Sequence, residues 1–139
     1  MQNIIRLCLI ILLLANSFAL KAQSWVFIGT SENGEKTYFN NSDVTTSSNG
    51  VKSGWTKFTK INYRLNQNGK VKIIPSVTYF TYSEFNCSTK TIKDIKLIVK
   101  DNKGSVLFND TKKEWEQTEV YAVPGTISTA LINYLCNKQ

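Results

Sequence analysis

Histidine is missing from all 139 residues. Its absence removes the usual general base and the commonest metal ligand, and with them any Ser-His-Asp or Cys-His site. Acidic residues are few, ten in all, and are scattered among lysines without a ligand-like cluster. Asp43 in NSDVTTSSNG lacks the alternating acids and closing glutamate of an EF-hand, so it reads as an Asx-turn or cap. Glu114, Glu116 and Glu119 read as a solvated loop and not as a catalytic carboxylate pair. There is no glycine-rich phosphate loop. Cysteine is scarce as well: Cys87 and Cys136 are the only two beyond residue 22, and they stand too far apart for a zinc knuckle. No catalytic residue, metal or cofactor is expected, which points to binding and away from catalysis.

Long apolar runs are confined to residues 7–14. Arg6 precedes this run, and small residues follow at Ala19 and Ala22, so residues 1–22 have the three parts of a secretory signal with cleavage expected after Ala22. The run is too short to span a membrane, and no later stretch approaches the roughly 20 residues required. Cys8 belongs to the signal and lacks the Leu-small-small context of a lipid-attachment cysteine. The expectation is an exported protein, periplasmic, secreted or at the cell surface, with one domain over residues 23–139. In an oxidising compartment two cysteines read as a disulfide. A bridge between Cys87 and Cys136 would fasten the end of the chain to its middle. Once Arg6 and Lys21 are removed, the 17 lysines and arginines become 15 against 10 acids, a net +5. A balance of this size favours acidic surfaces such as sulfated glycans, anionic lipid or acidic proteins.

What is present is β-forming sequence. Residues 24–30 (SWVFIGT) and 36–40 (KTYFN) flank SENGE, where Asn33-Gly34 is a strong hairpin turn. Residues 41–50 read as a surface loop, and 51–63 as a long strand with Gly54 as a bulge. A turn at 66–69 follows. Pro75 suits a strand edge or entry and not a central ladder position, which starts the fourth strand at about Ser76 and runs it to Phe85. In the fifth, 91–100, alternation sets Ile95, Leu97 and Val99 against Asp94, Lys96 and Lys100. The sixth covers 105–109, and the charged segment 110–119 is a loop anchored by Trp115. Pro124-Gly125-Thr126 then opens a helix, with Gly125 or Thr126 as N-cap, whose apolar face comprises Ile127, Ala130, Leu131, Tyr134 and Leu135. The fold class is α+β, a six-stranded antiparallel sheet with one C-terminal helix packed on it and tethered by the disulfide.

The sharpest binding signals are basic and aromatic. Lys57, Lys60, Arg64, Lys70 and Lys72, with Trp55, surround the turn after the third strand and form a candidate surface for a sulfated glycan or an acidic protein. Lysines guarding strand edges are the plainer reading. The dense arginine and stacking aromatics of a nucleic-acid surface are lacking. Several strands also carry large apolar groups on both faces: Trp25 and Phe27 oppose Val26 and Ile28, Trp55 opposes Phe58, and Tyr79 and Phe85 oppose Phe80 and Tyr82. One helix about 16 Å long covers only part of a sheet some 25 Å wide. The other face is then closed by curvature, used for a homodimer, or left for a ligand, including a small amphiphile or an envelope component.

Trp25, Tyr38 with Asp43 in YFNNSDV, Trp55-Thr56-Lys57, FNC ending at Cys87, the turn at 101–104, Trp115, Pro124-Gly125 and the closing Cys136 together resemble the surface-adhesin protein E family of bacterial exported proteins. The resemblance runs over nearly all of residues 23–139. It implies a six-stranded antiparallel sheet whose C-terminal helix is held to the concave face by a disulfide. It also implies an adhesin-like binding protein that contacts host matrix or plasma proteins, and one that can dimerise.

Overall fold

The computed structural model describes residues 24–65 and 71–137, with side chains for 24–60 and 76–137. The segment expected to be a secretory signal, with Cys8, and the turn expected at 66–69 lie outside the described residues.

Among the described residues eight strands form one antiparallel sheet: β1 (Trp25–Thr30), β2 (Lys36–Asn40), β3 (Thr45–Thr46), β4 (Lys52–Leu65), β5 (Val71–Asn86), β6 (Thr91–Lys100), β7 (Val106–Thr111) and β8 (Glu119–Tyr121). They occupy six ranks, in the order β1-β2-β4-β5-β6-β7. The two additional strands are short. β3 pairs with Lys52 and Ser53 of β4, and β8 pairs with Thr91, Ile92 and Lys93 of β6, so each continues an edge that β2 or β7 leaves unfilled. The expected loop at 41–50 therefore contains β3, and the one at 110–119 gives its two ends to β7 and β8, while Asn41–Asp43 and Glu114–Glu116 form single 3₁₀ turns.

Turn chemistry explains the meander. Gly34 and Gly104 adopt positive φ, 79° and 87°, at the β1–β2 and β6–β7 corners, a backbone conformation that side chains disfavour. At the β5–β6 corner the Asn86 side chain accepts hydrogen bonds from the backbone N–H groups of Ser88 and Thr89 at 3.0 and 3.2 Å, an Asx-turn. Pro75 is not a strand entry, because β5 begins four residues earlier. The β4–β5 register shifts between Lys60 and Asn62, leaving Pro75 and Ser76 opposite Ile61, so the proline that cannot donate sits in a bulge.

Helix α1 (Ile127–Cys136) starts after N-cap Thr126 and ends at the disulfide, where the Cα atoms of Cys87 and Cys136 are 5.6 Å apart. Its Leu131, Ile132 and Leu135 pack with Phe39 of β2 and Phe85 of β5 to form the buried core, and Ile28, Ile92 and Ile127 flank it. Burying each of these large side chains is worth about 1.5–3 kcal/mol. Ile132, outside the expected apolar face, is fully buried. The helix touches β1 on one side and β5 and β6 on the other, so the sheet curls around it as a half-barrel. Among the described residues no helix is long and apolar enough to cross a membrane.

Gly54 is not a bulge. The register runs through it regularly, opposite Ser83, and a Cβ there would lie 2.5 Å from Cζ of Phe39. Its hydrogen is what lets the fully buried Phe39 ring lie on the sheet. Trp115 is not an anchor either: it is 79 % exposed, with the Lys113 ammonium 5.0 Å from its ring.

Candidate binding face

Residues directly opposite one another in an antiparallel ladder share a face, so the register sorts the side chains. Phe39, Thr56 and Thr81 lie in one row on the helix side, and Tyr38, Lys57, Phe80 and Ile98 form the next row on the opposite side. The latter face also takes Phe27, opposite Tyr38, and Trp55 and Lys96, both opposite Tyr82. Helix α1 belongs to the other side, so no α-helix among the described residues lies across this one.

The rings on this face meet in three pairs. Trp25 meets Phe80 edge-on with centroids 6.0 Å apart, Phe27 meets Tyr38 at 5.6 Å, and Trp55 meets Tyr82 at 5.3 Å. Lysines are interleaved with them. The Lys57 ammonium lies 4.3 Å from the Trp25 centroid and 5.3 Å from that of Tyr38, and Lys100 lies 5.3 Å from Phe80. Each such cation–π contact contributes about 0.5–2 kcal/mol, most when water is excluded. Partial burial among the rings holds the Lys57 ammonium below the usual lysine pKa through desolvation. At the Cys87 end of the same face, Lys93 and Glu84 form an ion pair at 2.8 Å, and the hydrogen bond that the ammonium donates to that carboxylate raises the lysine pKa.

The basic cluster expected from the sequence is divided by this arrangement. Trp55 and Lys57 come together on the aromatic face. Lys60, opposite Val77, falls on the helix side by alternation and is exposed. Lys70 lies outside the described residues, and for Arg64 and Lys72 only the backbone pairing with one another is described. In their place the fold supplies Lys96 and Lys100 from β6, with Trp25, Tyr38, Phe80 and Tyr82. Alternation did reveal the opposition of Phe80 and Tyr82 to Tyr79 and Phe85, and of Trp55 to Phe58. What it did not reveal was that rows from five different strands line up.

The helix side carries a cavity of about 460 Å³ between α1 and the sheet. Thr37, Thr56, Thr81 and Ser83 line its floor, and Phe85, Ile92, Ile127 and Leu131 form apolar walls. A correction to the expected face of Asp94 belongs here. The β5–β6 register shifts between Tyr82 and Ser83, leaving Ile95 as an extra residue and turning Asp94 to the helix side. There its carboxylate accepts a hydrogen bond of 2.7 Å from the Ser83 hydroxyl. Among the described residues no group of three or more Cys, Asp or Glu side chains could hold a metal ion.

Neither a protein-family model nor a curated protein matches this sequence.

Proposed function

We propose that this chain is an exported, adhesin-like binding module that makes contact through the aromatic–lysine face of its sheet. Sulfated glycan is the ligand class that suits this face best, and an acidic extracellular protein is the other partner within reach of the same chemistry. The observation that supports it is the gathering of six aromatic rings with Lys57, Lys96 and Lys100 on one sheet face, with no α-helix among the described residues over it. Aromatic rings offer flat apolar area at low entropic cost, and ammonium groups fixed among them meet sulfate or carboxylate with little further ordering. The resemblance to the surface-adhesin protein E family supports the same reading, as do the disulfide, which suits an oxidising compartment, and the net basic charge. In this reading the helix sits in the concave side of the half-barrel and leaves the other side to the partner.

The test is binding of the purified chain to immobilised heparin, dextran sulfate, unsulfated dextran and a panel of matrix proteins, each across a salt series. Saturable binding to the sulfated polymers that persists at 0.15 M salt, with none to dextran, is expected. Binding that vanishes by about 0.15 M salt, where exposed charges are screened beyond roughly 8 Å, would reduce the effect to bulk basic charge and overturn the proposal.

A further inference from the structure

The cavity under α1 plays no part in the aromatic face, and its lining is chemically specific. Thr37 is only 7 % exposed, yet its hydroxyl makes no hydrogen bond within the protein among the described residues. Since no deeply buried side-chain oxygen among the described residues lacks a partner, that hydroxyl is open to the cavity it lines. Thr56 gives its own proton to the Thr81 carbonyl at 3.3 Å, so the floor offers acceptors as well as donors. One side of the space is therefore a row of hydroxyls and the other is aliphatic.

Charge decides the polarity of the guest. The cavity is lined by two carboxylates, Asp94 and Glu35, against one ammonium, Lys112. One oxygen of Asp94 is engaged by Ser83, which fixes the carboxylate and leaves its second oxygen to accept. The volume of about 460 Å³ falls within the range of roughly 300–1,000 Å³ typical of small-molecule sites.

We infer that this cavity is a binding site for a small amphipathic amine. Its ammonium is held by Asp94 with the threonine hydroxyls, and its apolar part lies against Phe85, Ile92, Ile127 and Leu131. The site is separate from the sheet face proposed for adhesion, so either can fail without the other.

The experiment titrates the purified, isotopically labelled chain with octylamine, octanol and octanoate below their micellar concentrations and follows amide chemical shifts. Octylamine is expected to bind saturably and at least 10-fold more tightly than octanoate, with shifts centred on Thr37, Thr81, Asp94 and Ile127. Asp94→Asn should bring octylamine down to within about threefold of octanol while leaving octanol unchanged. Ser128→Phe, which fills the helix side of the cavity, should weaken all three. Thr81→Val keeps the shape and removes a hydroxyl, and should weaken octylamine several-fold even if the larger substitution unfolds the chain. Octanoate binding as tightly as octylamine, non-saturating shifts, or shifts centred on the Trp25–Phe80 face would overturn the inference.

Discussion

Replacing Gly54 by alanine separates two accounts of that residue by the sign of its effect. A glycine inside a strand, at ordinary negative φ, costs backbone entropy, and alanine there should stabilise by about 0.4–1 kcal/mol. The packing says otherwise. The added carbon would stand 2.5 Å from Cζ and 3.0 Å from Cε2 of Phe39, about 1 Å inside the distance of normal carbon contact. Phe39 cannot retreat easily. It meets Phe85 edge-on at 5.9 Å and Tyr134 at 6.1 Å, and it shares the buried core with Leu131, Ile132 and Leu135. The helix carrying those residues is bonded to the sheet through Cys136. Overpacking of this kind costs about 1–3 kcal/mol, so Gly54→Ala should lower the melting temperature by roughly 5–15 °C for a domain of this size. Urea unfolding followed by circular dichroism provides the measurement. Phe39→Leu should relieve the clash, giving a coupling of at least about 1 kcal/mol between the two substitutions. A stabilised Gly54→Ala protein, or simple additivity with Phe39→Leu, would refute the reasoning.

Three further outcomes follow from the same contacts. Replacing both Cys87 and Cys136, 49 residues apart, by serine should cost roughly 4 kcal/mol through the freed loop, seen as a lower urea midpoint that reductant no longer changes. The Lys52 ammonium donates 2.6 Å to the carbonyl of Leu135 in the last turn of α1, where a cation also meets the negative end of the helix. Lys52→Met should therefore cost about 1 kcal/mol, and Lys60→Met on the same strand close to nothing. For Lys57, desolvation lowers the folded pKa below the 10.5 of the unfolded chain. In the interval between the two values the unfolded chain binds more protons, so this group adds stability as pH rises toward 10.5. The wild type should gain on Lys57→Met over that interval in parallel melts, and a constant difference would contradict the desolvation.

Much of the fold was legible because strands with one face in a core must alternate. The β1–β2 and β5–β6 hairpins, the helix and its disulfide partner all followed from alternation, turn residues and cysteine scarcity. The failures have a common physical origin in single-residue irregularities. A bulge at Ile95 reverses the face of every residue before it in β6, which put Asp94 on the wrong side. The bulge facing Ile61 let Pro75 stand inside a strand, and Gly54 answered to a ring from another strand that its own neighbours do not announce. Strands of two and three residues, β3 and β8, are too short to show a period. The binding face was half legible for a related reason: Trp55 and Lys57 are close in sequence, but Lys96 and Lys100 reach that face only through the register of β4 on β5 and β5 on β6.

The most direct test of the binding face compares two variants that lose equal charge. Lys57→Gln, Lys96→Gln and Lys100→Gln together strip the aromatic face, whereas Lys60→Gln, Lys103→Gln and Lys113→Gln remove three lysines from elsewhere. With both proteins folded, the first should bind heparin at least 10-fold more weakly than the wild type at 0.15 M salt, and the second within about threefold of it. Equal losses would mean that only net charge matters, and that the aromatic–lysine face is not the contact surface.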